Sequence, residues 1–187
     1  MEQIHKKSIR ILITVSTLLT FLTGLFAPFY ALFVGKLGGG IEIAGASWAV
    51  FSIVSGLMIL LFRSWESTIH QKRRIMIGGL FLRSFAFVLF LFITSFFDLI
   101  IVQILIGISI ALVNPSYDAM FTKHTSEEQA ISDWGGWEGL TSIASGLASV
   151  TGGFAIKYYG YESVFIPMAV ITFCTALYLQ SLPKEIL

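Results

Sequence analysis

Arg83 is a lone cation inside a long apolar run, eight positions beyond Ile75, where the run begins. On a helix that spacing is about 12 Å. An arginine at such depth in lipid costs about 2.5–3.5 kcal/mol on insertion scales, so it needs an internal partner or a wet cavity. By depth the first candidate partner is Asp118 and the second Glu138. A structural Arg83–Asp118 tie, or Arg83 reaching back to the headgroups, is favoured over direct contact with a solute. A second polar set, Thr23, Tyr30, Gln103, Asn114 and Tyr117, interrupts two other apolar runs. Such hydrogen-bonding groups suit the lining of a solute cavity. Thr hydroxyls are often bonded to their own backbone, which leaves Gln103 and Asn114 as the stronger candidates, with helix–helix bonding an equal alternative for both.

Covalent or metal chemistry lacks its parts. His5, His70 and His124 all lie in polar segments, Asp118 is the sole acid within a long apolar run, and Cys174 is the sole cysteine. That leaves no Ser–His pair, no paired carboxylates and no multi-cysteine metal site. No Gly-x-x-x-x-Gly-Lys-(Ser/Thr) phosphate loop is present either. The expectation is therefore no enzyme, no cofactor and no metal. A net charge of +1 gives no reason to expect nucleic acid as a partner.

The elements that must position these residues follow from composition. Of 187 residues, 56% are hydrophobic and 12% charged, and the mean hydropathy is +0.83. A soluble domain of this size could not hide so much apolar side chain, so the lipid bilayer must be part of its solvent. Runs of spanning length fall at about Ile11–Val34, Ile43–Phe62, Ile75–Ser95, Leu99–Phe121, Leu140–Tyr158 and Val164–Leu182. The first is too long for a signal peptide and is followed by further spans. The fold class expected is all-α, a polytopic membrane protein of six transmembrane helices in a single domain, 1–187. The polar connectors are Arg63–Arg74 and Thr122–Gly139, the latter a solvated segment carrying Glu127, Glu128, Asp133 and Glu138. Trp48, Trp65, Trp134 and Trp137 are expected near the two interfaces, with stacking of Trp48 in a cavity a weaker alternative.

Basic residues orient the spans. One side collects Lys6, Lys7, Arg10, Arg63, Lys72, Arg73, Arg74, Lys123 and Lys184, the other only Lys36 and Lys157. By the positive-inside rule both termini are cytoplasmic, in the plasma (inner) membrane.

Two phrases occur twice in the same order. Leu25-Phe-Ala-Pro28-Phe-Tyr30 returns as Leu112-Val-Asn-Pro115-Ser-Tyr117, 87 residues on. Ser52-Ile-Val-Ser-Gly56-Leu57 returns as Ser142-Ile-Ala-Ser-Gly146-Leu147, 90 residues on. With three spans between copies the second is inverted, so the chain reads as repeat 1 (about 8–95) and repeat 2 (about 96–183). Inverted repeats with a Pro-broken helix in each half build the midplane sites of secondary transporters. Pro28, Pro115, Gly56, Gly146, Gly152 and Gly153 are the expected hinge and packing positions.

This 3+3 layout with cytoplasmic termini resembles one six-helix half of a major facilitator superfamily transporter. The family's loop between helices 2 and 3 has the form Gly-x-x-x-Asp-(Arg/Lys)-x-Gly-(Arg/Lys)-(Arg/Lys). Here the segment Phe62–Arg74 keeps the basic cluster Lys72, Arg73 and Arg74, places Glu66 near the acidic position and lacks both glycines. Gln103 stands before Gly107 where the family's fourth helix often has an Arg. Ala144, Ala148, Ser149, Gly152 and Gly153 keep the small-residue face of the family's Gly-x-x-x-Gly-Pro-x-x-Gly-Gly pattern without its Pro, so antiport specifically is not supported. The resemblance implies a transporter moving a small solute by alternating access, with a peripheral third helix. It also implies a partner, because family members carry two such halves. Six spans are an even number, so a parallel homodimer, or pairing with a second six-span chain, would rebuild the bundle. The alternatives are a non-transporting assembly or regulatory protein, or a fragment of a longer transporter; the chain begins with Met and ends just beyond the sixth span, as a whole half-unit would. A largely aromatic and aliphatic lining leans toward neutral or apolar solutes, and no mid-depth acid offers proton or sodium coupling.

Overall fold

The computed structural model describes residues 2–66, 72–183 and 186, and side chains from residue 5 to 62 and in the later stretches. The Glu66 side chain, His70 and Lys184 lie outside the described residues. Among the described residues seven α-helices form six apolar spans: α1 (Glu2–Gly24) and α2 (Tyr30–Lys36) together make the first, then α3 (Ile41–Glu66), α4 (Lys72–Leu89), α5 (Phe96–His124), α6 (Ala130–Tyr159) and α7 (Glu162–Ser181). The fold is that of an all-α polytopic membrane protein.

Local chemistry sets several boundaries. Ser95 opens α5 with a reciprocal cap, its Oγ accepting from Asp98 N while Asp98 Oδ2 accepts from Ser95 N at 2.9 Å. This satisfies two otherwise orphaned donors and starts the span three residues before Leu99. Gly160 closes α6 at φ +83°, a left-handed position that glycine adopts without steric cost.

Proline acts differently in the two copies of its phrase. Pro28 sits in a single 3₁₀ turn, Ala27–Phe29, between α1 and α2, so the first span is broken there. Pro115 lies inside α5, which runs through it without interruption. The expectation of a broken helix in each half therefore holds for the first only. In α5 the lost N–H costs one bond, while packing against α3 on one side and α4 on the other holds the remaining turns in line.

The segment expected as a long solvated connector is mostly helix. α6 begins at Ala130, and only Thr125–Gln129 links it to α5. Trp134 and Trp137 are half-buried against the apolar cluster at this end of the bundle: Trp134 lies 4.6 Å from the Phe121 ring, and the Trp137 indole donates to Ser16 Oγ at 2.8 Å. Packing two indoles and bonding one N–H outweighs the polar flanks that suggested a loop.

Both termini lie at one end of the bundle, where Ser8 Oγ donates to the Ile186 carbonyl. Arg73 is part of the same closure. Its guanidinium donates to the carbonyls of Leu179 (Nε, 3.1 Å), Pro183 (3.0 Å), Gln180 (3.2 Å) and Leu182, neutralising the negative end of α7. Lys72, Arg73 and Arg74 thus form the first turn of α4.

α3 packs on α5, α6 on α1, and α4 on both α5 and α7. α4 is half buried over its spanning window, the most of any span within this unit. Two apolar clusters fill the interior, an aromatic one around Phe26, Phe33, Phe90 and Phe165 and one at the terminal end around Leu12, Leu80, Phe121 and Leu179. Gly152 lets α6 touch the end of α1, since a Cβ there would sit 1.9 Å from the Leu25 carbonyl oxygen. Gly153 faces the Phe29 ring, and its missing Cβ would meet it at 3.0 Å. A Cβ at Gly56 or Gly146 would meet nothing within 4 Å among the described residues. They share outward faces with Ile53 and Leu57 on α3 and with Ile143 and Leu147 on α6, all of which are exposed.

Candidate functional site

Between the first span and α5 lies a cavity of about 520 Å³. It falls in the size range of small-molecule sites. One face of each helix forms its long walls. The first span contributes Val15, Ser16, Leu19, Thr20, Thr23, Phe26, Ala27 and Tyr30; α5 contributes Gln103, Ile106, Ile110, Val113, Asn114, Tyr117 and Asp118. Six of the first set, Ser16, Leu19, Thr23, Phe26, Ala27 and Tyr30, are followed 87 positions later by a member of the second, whereas Val15, Thr20 and Asp118 have no counterpart at that spacing. From Gln103 to Tyr117 the wall runs about 21 Å at 1.5 Å per residue, much of the hydrocarbon thickness of a bilayer.

All five expected cavity residues, Thr23, Tyr30, Gln103, Asn114 and Tyr117, line this space. They are not equivalent. Thr23 Oγ1 donates back to Leu19 O and Thr20 O, both at 3.1 Å, which spends its proton on the helix. Gln103 Nε2 donates to the Tyr30 hydroxyl at 2.6 Å, and Tyr30 lies 2.6 Å from Ser47 Oγ. Ser47 already gives its proton to Ile43 O and Ala44 O, so Tyr30 is the donor in that pair. These three buried side chains tie the first span, α3 and α5 together at the end away from the termini. Asn114 is exposed to the cavity. The Tyr117 hydroxyl is buried without a hydrogen-bond partner among the described residues.

Each end of the cavity carries a tyrosine beside a tryptophan. Tyr30 packs edge-on to Trp48 at 5.5 Å, and Tyr117 lies 6.1 Å from Trp137. Trp48 and Trp137 both line the cavity, a role the interface preference of indole obscured in the sequence. The signal available was their register: each sits on a span one connector away from a wall tyrosine.

The expected tie of Arg83 to Asp118 or Glu138 is not formed. Arg83 Nε donates to Ser109 Oγ at 3.1 Å, and Ser109 donates to Gly79 O at 2.8 Å. Gly79 brings α4 and α5 this close: a Cβ there would meet Val113 Cγ2 at 2.7 Å. Asp118 lies nine residues beyond Ser109, about 13.5 Å along α5, too far for an arginine whose stem is held at Ser109. Asp118 is an exposed carboxylate at the cavity wall, and Glu138 is exposed on α6. Depth along the axis matched Arg83 to Asp118; the crossing of α4 on α5 did not.

Comparison with known proteins accords with this architecture. A family model described as Major Facilitator Superfamily matches residues 12–185. The chain is also 22% identical over 160 residues to a Bacillus subtilis (strain 168) protein named as an uncharacterized MFS-type transporter, YitZ, an alignment that covers 84% of this chain and 95% of that one. A match that begins in the first span and continues past the sixth takes in every wall of the cavity: the chain belongs to the Major Facilitator Superfamily, as a multi-pass membrane transporter and not an enzyme.

Proposed function

We propose that this chain is a single six-span domain that moves a small solute by alternating access, and that two copies, or this chain and a second six-span chain, pair in parallel in the plasma membrane with cytoplasmic termini. The observation that carries the reading is the cavity, whose two long walls share six residue pairs at a spacing of 87. That spacing supports an inverted repeat, 8–95 and 96–183, because it also relates other parts of the domain. α3 packs on α5 as α6 packs on α1, and the third and sixth spans pack on each other. Under the repeat, Tyr30 with Trp48 and Tyr117 with Trp137 become related closures at opposite ends of one cavity, which is what alternating access needs.

Pairing is supported by the uncovered faces. α3 and α6 are buried over only 11% and 22% of their spanning windows, against 39–50% for the others. The exposed copies of the doubled phrase, with Gly56 and Gly146, would let a second copy approach closely. The relative YitZ, being 95% covered by this chain, is comparably short. Uptake of a solute panel into proteoliposomes tests transport, with accumulation above protein-free vesicles expected. Cross-linking between cysteines placed at Gly56 and Gly146 tests pairing. A species of one chain's mass in detergent, together with no cross-linked dimer in the membrane, overturns it.

A further inference from the structure

Arg83 is 7% exposed, lines the cavity and has a single polar contact among the described residues, the bond from Nε to Ser109 Oγ. Nη2 is fully buried with no partner. Among the described residues no carboxylate bonds the guanidinium, and Asp118 is about 13.5 Å beyond Ser109 along α5. Arginine stays protonated in proteins, so this is a desolvated positive charge without a counter-charge. Such a charge is strongly unfavourable unless something pairs with it.

We propose that the counter-charge is the ligand: the cavity binds an organic anion with a carboxylate-type head on the Arg83 terminal nitrogens and an apolar body against Phe26, Phe87 and Phe90. The inference rests on the transport reading and narrows its solute class, replacing the neutral solute suggested by the apolar lining. Three features support it. The Nε–Ser109–Gly79 chain pins the guanidinium at its inner nitrogen and leaves its terminal nitrogens without a partner among the described residues. A carboxylate oxygen accepts a short, charge-assisted bond from a guanidinium N–H. The position is eight residues into the apolar run from Ile75, about 12 Å, well inside a hydrocarbon core of about 30 Å. That depth is beyond a lipid headgroup and within reach of a solute in the cavity. Asn114, exposed to the cavity five residues beyond Ser109, adds an amide that can bond a further oxygen.

The test is equilibrium binding to the purified protein in phosphatidylcholine nanodiscs, which carry no net anionic lipid, using 4-phenylbutyrate and its amide as probes. Trp48 and Trp137 in the walls report occupancy by fluorescence. The expected result is saturable binding of the acid, at least 10-fold weaker binding of the amide, and a loss of about 10–100-fold for the acid in Arg83→Gln, the range of a charged hydrogen bond. Arg83→Lys should fall between. The acid–amide comparison needs no variant, so a poorly folding Arg83→Gln leaves the proposal testable. Equal binding of acid and amide, absence of saturable acid binding, or unchanged acid affinity in a folded Arg83→Gln would overturn it. Because binding is read without transport, the two readings fail separately. Arg83-dependent acid binding without any uptake sinks the transport reading alone, whereas uptake of neutral solutes without acid binding sinks this one alone.

Discussion

Replacing Gly152 by alanine tests the packing of the first span on α6, which forms one side of the cavity. A Cβ at Gly152 would lie 1.9 Å from the Leu25 carbonyl oxygen and 2.7 Å from its carbon. Real Cβ contacts essentially never fall below 3.0 Å, so α1 and α6 must separate by about 1.1 Å at this level. The obstacle is main chain and cannot rotate away. Overpacking costs about 1–3 kcal/mol, and a backbone obstacle places this case at the upper end, about 3 kcal/mol. That is more than a hundredfold in the folding equilibrium. Gly139, on the same helix, is the internal control, because nothing among the described residues lies within 4 Å of its Cβ direction. Gly139→Ala should leave stability unchanged or slightly raised, since alanine is the better helix former. The assay is equilibrium unfolding in mixed micelles, followed by the fluorescence of Trp134 and Trp137, which are packed against Phe121. Equal stability of Gly152→Ala and wild type, or equal damage from the two alanines, would refute the packing argument.

Other outcomes follow from the same geometry. Exchanging Arg83 and Asp118 should give a protein no better folded or expressed than the worse single variant, because the two never pair; rescue by the exchange would contradict the Ser109 contact. Tyr30→Phe should cost about 1–3 kcal/mol by stranding the Gln103 amide N–H, and Tyr30→Phe with Gln103→Leu should recover most of it in the same unfolding assay. Arg73→Ala should lower stability by about 2–3 kcal/mol through loss of the charged bonds to Leu179, Gln180, Leu182 and Pro183. Arg73→Lys should restore less than half, since an ammonium cannot fork across four carbonyls.

Six spans were legible in the sequence because hydropathy reports burial in lipid without reference to neighbours. What hydropathy misses is which polar stretch a neighbouring helix will cover. The Trp134–Glu138 stretch reads as a connector, yet it is helical because two indoles find Phe121, Tyr117 and Ser16 across the bundle. The cavity residues were legible as a class, since polar groups on apolar helices need partners, and the doubled phrases pointed to the two spans that carry them. Arg83 shows the limit. Sequence position gives depth along an axis but not rotation about it, so a carboxylate at suitable depth looked like a partner while the neighbour, Ser109, looked unremarkable. Pro115 shows another: a proline marks a lost hydrogen bond, and the surrounding packing decides whether the helix breaks.

The central claim is that one cavity between the first span and α5 opens to either side of the membrane in turn. Thr23 lies midway along its wall, seven residues from both Ser16 and Tyr30. The direct measurement is labelling of a Thr23→Cys variant, with Cys174 replaced by serine, by a membrane-impermeant maleimide applied separately to each face of oriented vesicles. The account predicts labelling from both faces. Bulky residues at Ser47, beside Tyr30 and Trp48, should suppress it from that side alone. Labelling from only one face, or from neither, would contradict it.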